Sequence, residues 1–89
     1  MNNIPFSGIN ENTTKIIIAD DYCLIREAIR ARIEKEKDLE VVAETGDGKE
    51  AVDISVKLNP DIVIMDDDMP ILNGLEATKQ IVEKWKQKE

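Results

Sequence analysis

Two short runs, KIIIADD (15–21) and DIVIMDDD (61–68), constrain the fold more than anything else in the chain. In both, apolar residues follow one another without alternation. A strand with one face in water alternates apolar and polar side chains. A strand that is apolar at consecutive positions is covered on both faces, as in a parallel sheet flanked by helices. Each run then ends in clustered acids: Asp20 and Asp21 in the first, Asp66, Asp67 and Asp68 in the second. Carboxylates about 5 Å apart, at an effective dielectric near 20, repel by roughly 3 kcal/mol per pair. A chain that carries this repulsion either solvates a turn with it or holds a cation.

The rest of the chain supplies the helices that such a sheet needs. After the first strand (15–20), residues 22–36 place Leu24, Ile25, Ala28, Ile29 and Ile33 at helical spacing, with Arg26, Glu27, Arg30 and Glu34 mostly facing out. LEVVAE (39–44) reads as a second strand and TGDG (45–48) as a turn. Residues 49–58 read as a helix that stops at Asn59-Pro60, because the residue before proline avoids the helical region. The third strand is 61–66 and 67–74 is a loop. A third helix, 75–88, carries Leu75, Thr78, Ile81, Val82 and Trp85 at helical spacing. Residues 1–14 are polar and without period, and are expected to be a flexible tail in which Phe6 docks locally. Alternating strand and helix implies an α/β fold with right-handed crossovers.

If the spatial order of the strands is 2-1-3, the acids of strands one and three meet at the carboxyl ends of adjacent strands. That is the topological switch point where open α/β sheets bind ligands. The pocket then suits a divalent cation. With no histidine and one cysteine, the chain lacks the donors for structural zinc, and a lone cysteine excludes an internal disulfide. A hard, oxygen-seeking ion fits, and Mg2+ takes a few carboxylates together with waters and phosphate oxygens.

The segments IIIADDYCLIREAIR, EVVAETGDGKEAV and NPDIVIMDDDMPILNGLEATKQI resemble the receiver domain of bacterial two-component response regulators. The likeness covers residues 15 to about 82 and is strongest to receivers that precede a LuxR-type DNA-binding output domain. It implies a flavodoxin-like (CheY-like) three-layer fold, here reduced to β1-α1-β2-α2-β3-α3 in sheet order 2-1-3. Residues 15–89 would be a partial receiver domain without the fourth and fifth strand-helix units. It implies that a sensor histidine kinase donates a phosphoryl group to Asp66. Asp21, Asp66 and the backbone carbonyl of Asp68 would ligate Mg2+, with Asp20 acting through water. It departs from the family's pattern at Asp67, where an apolar residue is usual, and at Tyr22 and Cys23. The Ser/Thr and Lys that follow the family's fourth and fifth strands have no counterpart in it.

Other readings fit less of the chain. A haloacid-dehalogenase-type phosphatase shares the strand-to-D-x-D pattern, but Pro70 stands where that family needs Thr or Val. An EF-hand loop from Asp66 fails at Pro70, Ile71 and Ala77, and a phosphate loop ending at Gly48-Lys49 fails at Ala43 and Glu50. A non-enzymatic alternative is an inactive receiver fragment that serves only as an interaction module. The net charge of -7 argues against direct nucleic-acid binding by this chain. No apolar run is long enough to span a membrane, and the opening segment lacks a basic stretch followed by an apolar one, so neither a membrane partner nor a signal peptide is expected. The expected location is the cytoplasm. Strand three, apolar and last in the sheet, is expected to leave an edge open to self-association.

Overall fold

The computed structural model describes residues 12–88, so most of the expected tail, including Phe6, lies outside the described residues. The element order is β1 (Thr14–Ala19), α1 (Cys23–Ile33), β2 (Leu39–Thr45), α2 (Gly48–Leu58), β3 (Ile62–Met65) and α3 (Gly74–Lys88). The three strands form one parallel sheet in the order β2-β1-β3. The most apolar run therefore lies in the middle: Ile16, Ile17, Ile18 and Ala19 of β1 are all buried.

Register determines which side chain belongs to which layer. Ile16 pairs with Ile62 and Ile18 with Ile64, so these four share a face. On that face Ile16 and Ile18 pack with Ile33, and with Ile29, Leu39 and Val41 at the margin. α1 covers this layer. The opposite layer is built by α2 and α3. Ala51 joins Ala19, Met65 and Met69, while Val52, Ala77 and Ile81 form a cluster with Val56, Leu72 and Trp85.

Local signals explain the helix ends. Asp47 caps α2 by accepting the Glu50 N–H at 2.6 Å, and Asn73 caps α3 by accepting the Glu76 N–H at 2.9 Å. α2 ends on Asn59 in the left-handed conformation, directly before Pro60.

Two helix faces differ from the sequence expectation. On α1 only Ile33 is buried and Ile29 half-buried, whereas Leu24 is 78 % and Ile25 46 % exposed. The helix packs on β1 and β2, and its apolar stripe is wider than the surface those strands offer. On α3 the inward row is Ala77, Ile81 and Trp85. Leu75 is exposed, and Thr78 and Val82 turn toward β3. There, Val63, Met65, Thr78, Ile81, Val82 and Trp85 line a groove of about 270 Å³ beside the free edge of β3. Ile62 and Ile64, on the α1 face of the same strand, are 44 % and 36 % exposed.

Candidate functional site: an acidic pocket at the carboxyl end of the sheet

The pocket begins where the sheet's hydrogen bonds end. Beyond the last residue of β1, Asp20 donates its N–H to the Thr45 carbonyl of β2 at 3.0 Å. Beyond the last residue of β3, Asp66 donates its N–H to the Ala19 carbonyl at 2.8 Å. Asp20, at the end of β1, is thereby tied to β2, and Asp66, from a distant part of the chain, is tied to β1. Asp20 and Asp66 are half-buried and Asp21 is exposed, and each offers an oxygen within 4.8 Å of the other two. The Asp20 carboxylate also accepts the Tyr22 N–H at 2.9 Å, and Asp66 Oδ1 accepts the Asp68 N–H at 3.4 Å.

The acids predicted from the sequence thus separate into two groups. Asp20, Asp21 and Asp66 converge. Asp67 and Asp68 lie exposed on the following loop and add no carboxylate to the cluster. The donor set is all oxygen, with no imidazole or thiolate in the cluster. That chemistry fits a hard divalent ion and does not fit zinc. Carboxylates this close repel one another, and a bound cation would relieve that repulsion.

The loop that carries Asp66 is held by close backbone approaches. Gly74, the first residue of α3, lies so near this loop that a Cβ there would sit 2.2 Å from the Asp66 carbonyl oxygen. Gly48, the first residue of α2, abuts the far end of the loop, where a Cβ would sit 1.8 Å from the Leu72 carbonyl oxygen. Between them, Leu72 donates its N–H to Pro70 at 2.7 Å, around an Ile71 with φ of 71°. That three-residue turn is a strained form for a β-branched side chain.

Sequence reasoning missed one residue at this end of the sheet. Arg26 reads as part of the outward face of α1, yet its side chain is only 22 % exposed. Its Nη1 donates to the Asp20 carbonyl at 2.6 Å, and its Nε lies 3.5 Å from Glu44 at the end of β2. Its spacing to Arg30, with Glu44 as a counterion the two share, is a signal visible in the sequence only once β2 is known to neighbour β1.

Comparison with known proteins agrees with this geometry. The profile of the response regulator receiver domain matches residues 16–89. The transcriptional regulatory protein DegU of Brevibacillus brevis is 42 % identical over 77 residues, which are 86 % of this chain and 33 % of that protein. A two-component response regulator of the LuxR family from Aurantimonas sp. SI85-9A1 superposes with a TM-score of 0.77 at 38 % identity, over 85 % of this chain and 54 % of the other. CheX–CheY–BeF3–Mg2+ from Borrelia burgdorferi gives 0.68 at 27 % identity, over 78 % and 52 %. This chain therefore spans about a third of the DegU sequence and about half of the receiver structures. A parallel 2-1-3 sheet, acids converging at its switch point and a profile match along nearly the whole described chain lead to one conclusion: the chain belongs to the response regulator receiver domain family of two-component systems.

Proposed function

We propose that the chain takes part in a phosphorelay as the phosphoacceptor, with Asp66 receiving the phosphoryl group from a sensor histidine kinase. The observation that carries this reading is the convergence of Asp20, Asp21 and Asp66, from two strand ends, on one pocket. A carboxylate oxygen of Asp66 attacks phosphorus. The P–N bond of the donor phosphohistidine breaks as the new P–O bond forms, and the imidazole leaves with the electron pair. Such transfer depends on positioning and on neutralising charge. Asp66 supplies the nucleophile from a backbone held to β1, and Asp20 and Asp21 form the anionic wall beside it. Asp21, Asp66 and the Asp68 carbonyl would hold Mg2+, with Asp20 acting through water. The ion, when bound, would offset the negative charge that keeps a phosphate away. The similarity to a chain of a CheX–CheY complex solved with BeF3 and Mg2+ supports this assignment.

In this reading the chain is not an enzyme acting on a separate substrate, and it does not contact DNA itself. A DNA-binding output domain, as in the LuxR-family relatives, would lie outside these residues. The setting is cytoplasmic, where kinase and regulator meet; among the described residues no helix is long and apolar enough to cross a membrane. A second reading, an inactive fragment acting as an interaction module, is favoured by the open apolar edge of β3.

One experiment separates the two. The chain is incubated with a small-molecule acyl phosphate and Mg2+ and then weighed by mass spectrometry. The expected result is one phosphoryl adduct, lost in Asp66→Asn and kept in Asp67→Asn. Label on Asp67 or Asp68 would overturn the assignment, and no label in a folded protein would favour the interaction module. Metal binding is tested apart from transfer. A ligand at about 100 times its dissociation constant adds roughly 2.7 kcal/mol to the folded state. Mg2+ should therefore raise the melting temperature, and Asp21→Asn should abolish the rise.

A further inference from the structure

We infer that Arg26 is a positioning residue for the acidic pocket, fixing the Asp20-Asp21 turn so that its carboxylates are already placed for a divalent cation. The inference rests on the proposed metal-binding function and adds a residue that makes no contact with the metal.

The turn is held partly from within, by the Tyr22 N–H on the Asp20 carboxylate at 2.9 Å, and partly by groups outside it. Asp20 and Asp21 lie between the end of β1 and the start of α1, and the N-cap position of α1, Tyr22, makes no side-chain capping bond. On one side the peptide unit of Asp20 is held by its N–H, which binds the Thr45 carbonyl of β2. On the other side its carbonyl accepts from Arg26 at 2.6 Å. The guanidinium is in turn held in place. Its Nε lies 3.5 Å from Glu44 Oε1, while Arg30 Nε approaches Glu44 Oε2 at 2.7 Å. Nη1 of Arg26 also lies against the β2–α2 turn, where a Cβ on Gly46 would meet it at 3.3 Å. A single planar fork thus links α1 to the acid-bearing turn by a hydrogen bond and to the end of β2 by charge alone. Groups that orient ligands from outside the coordination sphere typically account for a ten- to hundredfold effect on metal affinity.

Charge and position act in opposite directions here, which makes the inference decidable. Arg26 is a cation beside a cation-binding pocket. If only its field mattered, removing it would tighten Mg2+ binding. If it positions the turn, removing it weakens binding. Arg30 provides the control, since it shares Glu44 but does not touch Asp20.

The test is Mg2+ titration by calorimetry, well below the melting temperature, with circular dichroism verifying that each variant is folded. The proposal expects Arg26→Ala to raise the Kd about tenfold, while Arg30→Ala leaves it unchanged or slightly lower. Arg26→Lys keeps the charge but not the fork, so its Kd should rise with that of the alanine variant. It also carries the test if Arg26→Ala does not fold. A Kd at or below the wild-type value in folded Arg26→Ala, or a wild-type Kd in Arg26→Lys, would overturn the positioning role. Absence of Mg2+ binding in the unmutated chain would instead overturn the metal reading, and this inference with it.

Discussion

Gly74 sits where the acidic loop meets α3, and its importance lies in what surrounds it. Any side chain there would drive into the Asp66 carbonyl, with the Asp66 carbonyl carbon and the Cα of Asp67 each 2.9 Å from the added carbon. All three are backbone atoms, which cannot swing aside as a flexible side chain can. Gly74→Ala should therefore cost about 1–3 kcal/mol of stability, in the range of overpacking substitutions, and displace the proposed phosphoacceptor. Urea denaturation would measure the first effect. An unchanged midpoint would show that the loop relaxes freely. Asp20, Asp21 and Asp66 were legible in the sequence because each follows an apolar run, and a strand end needs no tertiary knowledge to recognise. Arg26 was not, and Gly74 was legible as the end of the loop but not as a point of close backbone approach. A glycine needed for close approach looks like any turn glycine, and a cation gripping a carbonyl across a turn looks like any charge on a helix face.

β3 is the element on which fold and association bear together. Its Ile62 and Ile64 remain partly exposed, and its free edge borders the groove lined by Val63, Val82 and Trp85. Unpaired strand edges of this kind invite pairing with another chain. The strand itself, IVIM, carries no charge, but Asp61 stands at its start and Asp66 to Asp68 follow its end. Antiparallel pairing of two copies about a two-fold axis would bring the acids at one end toward those at the other. Self-association of the 89-residue chain is therefore expected to be weak at low ionic strength and to strengthen with salt, and more so with Mg2+. Sedimentation velocity across a salt series would show it. A monomer at every salt concentration would mean that the edge is covered. Strand-helix alternation was legible from periodicity, and with it helices on both faces of a parallel sheet; the pairing order came only from the resemblance to receiver domains. The phase of α3 was not, because Leu75 and Ala77 fit a helical stripe equally well until the sheet selects one.

The described residues form a half-open sandwich, with a middle strand buried from Ile16 to Ala19 and a last strand only partly covered. Its most distant contacts are also the ones that build its pocket. β1 and β3 lie side by side, joined at their start by the Lys15 N–H and the Asp61 carboxylate, 46 residues apart, and at their far end by Asp66 and Ala19. This arrangement has a consequence for the order of events during folding. Bringing such distant strands together carries a chain-closure entropy that must be met before any contact across them contributes. The three acids can meet only after that step, so the cation site should be absent from the rate-limiting ensemble. Mg2+ is then expected to slow the escape from the native state while leaving the rate of reaching it nearly unchanged. Stopped-flow measurements of both limbs, with and without Mg2+, would detect this, and a faster refolding limb would place the assembled acids early in the folding reaction.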